Sequence, residues 1–183
     1  MQIVGKGVDP LASGSGNAAL TFVAKELLAT SHGMNPSYSA GVEGTGALGG
    51  WEKSEMRTYL NNTILPLIPS NVAAAIKPVT KYTRIYNASG TAVDNSPTTD
   101  TLWIPSTREV GATSYWESSC PSYTQIFKDA ASRKKSKASG STATAWWSRT
   151  VSNTSKFYYL DRAGNSNGSD TSNSYGIAPG FCI

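Results

Sequence analysis

Short aromatic segments alternate with runs of small polar residues in the C-terminal part of the chain, and this pattern limits the fold more than any other feature. The aromatic segments lie at 146–149, 157–161 and 175–183, and mainly Ser, Thr, Asn, Asp and Gly separate them. Aromatic and apolar runs of this length, bounded by turn residues, are typical of strands. The sequence therefore predicts two or three rigid strands that support a polar, turn-rich surface. Such a surface suits recognition of a ligand better than chemistry on one.

Length and composition indicate one domain with an uncharged polar surface. A chain of 183 residues can bury a core without disulfide bonds, so we expect a single domain over residues 1–183. Charged residues make up only 15% of the sequence, which also contains five Trp and nine Tyr. Hydroxyl and amide side chains must then cover much of the surface, as is typical of secreted or virion proteins.

Neither a membrane nor a nucleic acid is an expected partner. No apolar stretch approaches the length of a bilayer span, and no signal peptide is recognisable at the N-terminus. The chain begins inside an apparent strand at residues 2–6, which favours a domain cut from a longer polypeptide. The net charge is +4, but basic residues cluster only at 133–137, after a predicted helix whose dipole favours positive charge at that end. A nucleic-acid groove is the alternative interpretation of this basic run.

The cysteines and the single histidine form no metal or catalytic motif. With His32 as the only histidine, the usual zinc ligand sets cannot be assembled. Cys120 and Cys182 permit one disulfide, but the apolar surroundings of Cys182 favour a buried free thiol. A nucleophilic cysteine needs a nearby base or cation, and Cys120 is far from His32 in sequence. We expect no metal, no cofactor and no enzymatic activity.

Periodicity in the first half of the chain predicts strands followed by helices. Residues 2–6 and 18–25 are expected to form an antiparallel strand pair. A helix is predicted at 51–60, and Ser70 is placed to cap a second helix at 72–76. A half-exposed strand at 79–83 precedes an expected surface loop over about 86–99. The first helix is predicted from the common face of Trp51, Met56, Tyr59, Leu60 and Ile64.

Two capping motifs and three strands are predicted in the second half. Ser106 and Glu109 match the capping box, which predicts a short helical turn. Ser122 and Gln125 repeat this motif and predict a helix at 123–135. Strands are expected at 146–149, 156–161 and 176–183. Alternation in the middle strand places Phe157 and Tyr159 on one side, and Tyr158 and Leu160 on the other.

Five sequence blocks, in order along nearly the whole chain, resemble a large domain family of uncharacterised function. That family is found in surface proteins of Gram-positive bacteria and in the structural proteins of their phages. The blocks read GGWEKSEMRxYLN at 49–61, PVTKY at 78–82, TDxLWIPS at 99–106, WWxR at 146–149 and YGIxPxF at 175–181.

This resemblance implies an α+β, C-type-lectin-like fold, similar in shape to formylglycine-generating enzymes and to retroelement-diversified variable proteins. It implies a small mixed or antiparallel sheet, two main flanking helices and long loops. Ligand contacts would lie on the loop-rich face carried by the C-terminal strands. The sequence departs from the family at Ala178, where an arginine is usual, so a polar support is expected to be absent there.

Candidate ligand contacts lie on the C-terminal strands and loops. Tyr158, Tyr159 and Tyr175 can offer apolar area together with a polar tip. In segments 151–155 and 165–174 the fold does not require particular side chains, so variation is tolerated there. The alternative for any single residue is that it only forms part of a solvated turn. Asp and Asn side-chain oxygens in this region could coordinate calcium, but the calcium-binding tripeptide of lectins is absent, and we predict no calcium site. The polar candidates are Ser148, Asn153, Asp161, Asn165, Asn167, Asp170 and Asn173.

Three further residues are expected to have structural roles. Trp146 and Trp147 are adjacent on a predicted strand, and we expect both to lie in the core, with a binding platform as the alternative for one of them. Arg149 is expected to be a structural ion-pair partner rather than a ligand contact.

These observations favour non-catalytic recognition of a host-cell surface protein or glycan. The expected location is a virion surface, a bacterial cell surface or the extracellular space, in a homo-oligomer or a larger assembly that combines weak sites. One alternative is a structural tail or decoration module of a virion. Another is a retroelement-diversified receptor-binding protein with hypervariable loops.

Overall fold

Three small antiparallel sheets and a few short helical turns make up the fold, which is mixed α and β with mostly sheet. The computed structural model describes residues 1–39, 42, 46–112 and 116–183. The sheets have the strand orders β1-β2-β8, β3-β4 and β5-β6-β7. In chain order the strands are β1 (Gln2–Lys6), β2 (Leu20–Val23), β3 (Val79–Tyr86), β4 (Ala92–Asp100), β5 (Trp146–Asn153), β6 (Lys156–Leu160), β7 (Ser166–Asp170) and β8 (Gly180–Cys182).

The predicted strand pair at the N-terminus is confirmed, and it pairs with the C-terminal strand. β1 and β2 are antiparallel, and β2 also pairs with β8. Outside the sheet, Gly180 bridges to Trp103, and Cys182 bridges to Lys77. β8 is thus hydrogen-bonded on both sides and is wholly buried. Residues 176–182 are buried and do not present ligand contacts, so the remaining candidate contacts lie on β6, β7 and the residues around them, which include the partly exposed Tyr175.

Two polar strands replace expected loops. The predicted loop over 86–99 largely forms β4, which pairs with β3, and the variable segment over 165–174 contains β7, which pairs with β6. Both strands lie at the edge of their sheets, so most of their side chains face water and the sequence lacks apolar alternation. Val151, assigned to the other variable segment, is fully buried on β5.

The helix predicted at 51–60 is confirmed in part, as a succession of short turns. A 3₁₀ turn at Gly50–Lys53 leads to α1 (Glu55–Tyr59) and then to a π-helical turn at Leu60–Ile64. The predicted apolar face packs into the core, where Trp51, Met56 and Leu60 are fully buried.

The second predicted helix is α2 (Ser70–Ala73), in which Pro69 rather than Ser70 takes the N-cap position. α1 and α2 comprise five and four residues, so the two main flanking helices implied by the resemblance are not evident in the described part of the chain. None of the described helices is long and apolar enough to cross a membrane.

The helix predicted at 123–135 is wrong. This segment contains a hydrogen-bonded turn at 124–126 and a 3₁₀ helix only at Ala131–Arg133. Tyr123 and Phe127 are buried as predicted, but the Asp129 and Ser132 side chains hydrogen-bond each other's backbone amides. Such local bonds compete with the helical hydrogen-bond ladder. Ser122 donates to Thr124 instead of capping a helix.

The capping box at Ser106 and Glu109 is confirmed and forms part of a buried ion network. The Ser106 amide donates to the Glu109 carboxylate at 2.9 Å, and the Glu109 amide donates to Ser106 Oγ at 3.1 Å. Arg149 on β5 binds both Glu109 oxygens, at 2.5 and 2.9 Å, with both side chains fully buried. The structural ion-pair role predicted for Arg149 is therefore confirmed. Burial would raise the pKa of Glu109, but Arg149 and Lys81 lower it to about 2.

The basic run at 133–137 does not end an α-helix, and only its first residue, Arg133, lies in a helical element, the 3₁₀ helix at Ala131–Arg133. Arg133 and Lys135 are instead buried and donate to backbone carbonyls: Arg133 Nε to Gly164 O at 2.8 Å, and Lys135 Nζ to Ala24 O at 2.5 Å. The run thus ties neighbouring segments together. Burial lowers the pKa of Lys135 to about 8.

This lowered pKa predicts a pH-dependent gain in stability. Between about pH 8 and the ordinary lysine pKa of 10.5, the unfolded chain keeps the Lys135 proton while the folded chain releases it. Stability contributed by Lys135 therefore rises with pH across this window. Urea unfolding at pH 8 and pH 10 should show that the free energy of unfolding rises less between these pH values in Lys135→Met than in the wild type. Lys134→Met, at an exposed neighbour, should follow the wild type, and identical curves for all three proteins would contradict the assignment.

Candidate ligand-binding face

Two partly exposed tyrosines stack on each other above a buried tryptophan. The rings of Tyr159 on β6 and Tyr175 lie 4.5 Å apart at an interplanar angle of 28°. Trp147 on β5 contacts both, at 4.8 Å from Tyr175 and 6.3 Å from Tyr159. The three rings therefore form a packed aromatic cluster at the surface, which we call the tyrosine platform.

The platform is held by segments that are distant in sequence. Trp147 is fully buried, as predicted for it and for Trp146, and its Nε1 donates to the His32 carbonyl at 2.8 Å. The backbones of His32 and Tyr175 pair as an antiparallel bridge. The His32 ring in turn stacks on Tyr59 of α1, with centroids 4.2 Å apart. Because buried groups fix both tyrosines from below, the platform needs little reorganisation to bind a ligand.

A shallow groove of about 440 Å³ opens beside the platform. Tyr159 and Tyr175 form one part of its lining, the turn after β6 supplies another part that includes the exposed Arg162, and Ala145 before β5 completes it. The volume lies in the range of small-ligand sites. The lining residues are Ala145, Tyr159, Asp161, Arg162, Ala163 and Tyr175.

Asp161 organises the turn that closes this groove. Its Oδ1 accepts the amides of Ala163 and Asn165 at 2.8 and 2.9 Å, and its Oδ2 accepts Asn167 Nδ2 at 3.1 Å. Gly164 completes the turn with a φ of 87°, and a Cβ there would lie 1.8 Å from the Ala130 carbonyl oxygen. The turn is therefore fixed, and Asp161 holds it in place while lining the groove.

The structure brings together only some of the predicted site residues. Tyr159, Asp161 and Tyr175 line the groove, and Asn167 bonds to Asp161. Asn173 Nδ2 donates to Ser169 Oγ at 2.8 Å, and that oxygen lies 3.1 Å from Tyr175 Oη. Asn165 is exposed in the turn. This end of the β5-β6-β7 sheet carries the candidate face.

Four predicted residues lie elsewhere. Ser148 is fully buried on β5, so its assignment as a ligand contact is corrected. Tyr158 directly precedes Tyr159 on β6 and points to the opposite face, because strand side chains alternate between faces. Asp170 pairs with Lys156 at the far end of β6, where Asn153 shapes the β5–β6 turn by accepting the Ser155 amide at 2.9 Å.

The groove also contains residues that the sequence reasoning missed, namely Ala145, Arg162 and Ala163. Arg162 had a usable signal, since it lies between Asp161 and Asn165, which were both predicted as ligand contacts. Ala145 and Ala163 carried none, because small apolar residues in polar loops do not indicate a site.

Tyr159 on the face and the two buried cysteines have raised pKa values. Burial raises the pKa of Tyr159, and Tyr175 and Asp161 raise it further. Cys120 and Cys182 are free and buried, which confirms the expectation for Cys182, and burial raises the pKa of each thiol to about 12. In the described ranges no group of three or more His, Cys, Asp and Glu side chains is placed to hold a metal ion. The face thus offers stacking and hydrogen bonds.

Comparison with known proteins places the chain in a family. Residues 28–183 match the family described as Domain of unknown function (DUF6273). The chain belongs to this family. The DUF6273 region contains the whole tyrosine platform and groove, whereas β1 and β2 precede it. Searches of curated proteins and of solved structures found no match.

Proposed function

We propose that this DUF6273 protein is a surface-displayed recognition module that binds a host-cell glycan or protein through the groove beside the tyrosine platform. The observation that carries the proposal is the stacked, half-buried Tyr159–Tyr175 pair above Trp147. Tyrosines fixed in this way offer apolar contact area at small entropic cost. The proposed fold is C-type-lectin-like and its location a virion or cell surface.

A glycan is the ligand class that these groups favour. Sugar rings present a flat apolar face that can stack on Tyr, and hydroxyl groups at their edge that need hydrogen-bond partners. Arg162 supplies donors at the exposed edge of the groove, and the tyrosine hydroxyls can donate or accept. The surrounding exposed positions, including Asn165 and Asn167, can vary without disturbing the core, which is compatible with diversified recognition.

A glycan array and intact Gram-positive cells test this proposal with labelled protein. The wild type should bind a subset of glycans or cells, and Tyr159→Ala should bind at least about tenfold more weakly, as expected for an aromatic anchor. Tyr38→Ala is the matched control, because Tyr38 is exposed but lies outside the groove. Equal binding by the two variants would move the site elsewhere on the surface.

A structural role in an assembly is the second candidate, and a different surface favours it. β1 lies at the edge of its sheet and borders an apolar groove of about 390 Å³ that includes Ile3, Val8 and Ile126. Ile3 and Val8 are exposed. An assembly module should therefore form oligomers in size-exclusion chromatography with light scattering, and Ile3→Lys should dissociate them while leaving glycan binding unchanged.

A further inference from the structure

A buried lysine lies in direct contact with a buried aspartate. Lys81 Nζ on β3 is 2.5 Å from Asp9 Oδ1, and both side chains are fully shielded from water. Asp9 lies in the connection between β1 and β2, 72 residues before Lys81 in the chain. Removing two charges from water costs free energy that their mutual attraction often only balances. A buried ion pair is therefore weak evidence of a net contribution to stability.

The groups around this pair are those that a condensation reaction requires. Glu109 Oε1 accepts from Lys81 Nζ at 3.0 Å, so a second carboxylate can take up a proton from the amine. Tyr123 Oη lies 2.9 and 3.0 Å from the two Asp9 oxygens, and Thr21 Oγ1 donates to Asp9 Oδ2. These hydroxyls can stabilise negative charge that develops on Oδ2.

The amine is also held in position by two aromatic side chains. Lys81 Nζ lies 3.5 Å from the centroid of the buried Trp103 ring and 2.7 Å from Tyr123 Oη. Because the nitrogen is fixed against the carboxyl group, the two reacting groups need no diffusional encounter. Their effective concentration relative to each other can therefore be very large.

We propose that the side chains of Lys81 and Asp9 join in an intramolecular amide bond, with Glu109 as the proton carrier. The proposal is independent of the glycan-binding role of the tyrosine platform.

The reaction is a dehydration that needs no oxidant, metal or cofactor. The Lys81 ammonium has three protons. One passes to Asp9 Oδ1, which frees the nitrogen lone pair to attack Asp9 Cγ. A tetrahedral carbon results, with its oxyanion on Oδ2. Glu109 takes a second proton from nitrogen, and Tyr123, whose Oη lies 3.3 Å from Glu109 Oε1 and 2.9 Å from Asp9 Oδ1, gives its own proton to Oδ1 and recovers one from Glu109. The Cγ–Oδ1 bond then breaks, and water leaves. The third proton stays on the amide nitrogen.

The charges in the network define the starting state of this reaction. Burial by itself would lower the pKa of Lys81, but Glu109 and Asp9 raise it above its ordinary value. The unreacted site is therefore an ion pair, and proton transfer must accompany attack. Formation of the neutral amide would remove two buried charges, which favours the product in a site without water.

The bond would fasten the N-terminal strands to the remainder of the domain. Asp9 precedes the region matched by the DUF6273 family, while Lys81 lies within it. Thermal or mechanical separation of β1 and β2 from β3 would then require breaking a covalent bond as well as non-covalent contacts. A crosslink between such distant residues also restricts the unfolded chain.

Intact mass spectrometry of the denatured 183-residue protein tests the proposal. The wild type should be lighter than its sequence mass by one water molecule, and trypsin should leave a branched peptide that joins the Asp9 fragment to Lys81, with cleavage after Lys81 blocked. Lys81→Arg keeps the positive charge but should show the full sequence mass. Lys77→Arg, at an exposed lysine, should keep the loss of water. Glu109→Gln should show the full mass or a much slower loss.

Two results would overturn the proposal. One is a folded wild type at its full sequence mass, which would leave the contact as an ion pair only. The other is a loss of water mapped to residues other than Asp9 and Lys81. Neither result depends on whether the Lys81 or Glu109 variants fold, since both are read from the wild type.

Discussion

Replacing Arg149 with methionine is expected to lower the free energy of unfolding by about 3–5 kcal/mol, because it leaves a buried carboxylate without its partner. Arg149 binds both oxygens of Glu109, and its Nη1 also donates to the Ile104 carbonyl at 2.8 Å. Its guanidinium thereby joins β5 to the capping box at Ser106. Methionine can fill part of the volume but replaces none of these bonds. Urea unfolding at neutral pH measures the change.

Two further variants distinguish this explanation from a general sensitivity to substitution. Arg108→Met removes an exposed arginine one residue before Glu109 and should change stability far less. Adding Glu109→Gln to Arg149→Met should cost less than the sum of the two single substitutions, because the charge that Arg149 neutralises is then gone. An Arg149→Met protein as stable as Arg108→Met would contradict the role assigned to the ion pair.

Replacing Trp147 with alanine should cost about 3–5 kcal/mol of unfolding free energy, as is usual for a large aromatic side chain removed from a packed core. The same substitution removes the floor of the tyrosine platform and the bond to the His32 carbonyl. Tyr159 and Tyr175 would lose their common support, so binding should weaken even under conditions in which the variant is folded. Chemical unfolding and array binding of the same preparation provide the two measurements.

Trp116 provides the matched control for this substitution. It is only half-buried and lies far from the platform in sequence, with its ring 4.3 Å from the Arg84 guanidinium. Trp116→Ala should therefore lower stability much less and leave binding unchanged. If Trp147→Ala kept full stability and full binding, the tryptophan would not support the platform.

Local sequence signals were sufficient where the deciding interactions are local or where burial follows from residue type. The Ser106 capping box and the apolar face around Trp51 depend on residues three to five positions apart, and both were predicted. The burial of Trp147 and Trp146 followed from their size and position on a strand. The ion-pair role of Arg149 followed from its place beside them.

The remaining features depend on contacts that the sequence does not display. β4 and β7 are polar because they are edge strands, so their pairing is decided by β3 and β6 and not by their own periodicity. The contact between Asp9 and Lys81 joins segments 72 residues apart. The groove beside Tyr159 likewise exists only because β6, Tyr175 and the turn at Asp161 meet in the folded chain.

The most direct test of the central claim is to map where a ligand binds. We would record amide spectra of ¹⁵N-labelled protein while adding the glycan that gives the strongest array signal. Chemical-shift changes are expected at Tyr159, Arg162, Ala163 and Tyr175, with β1 and the surface near Ile126 unchanged. Changes confined to β1 and Ile126, or none at all with a glycan that binds the array, would show that the tyrosine platform is not the binding site.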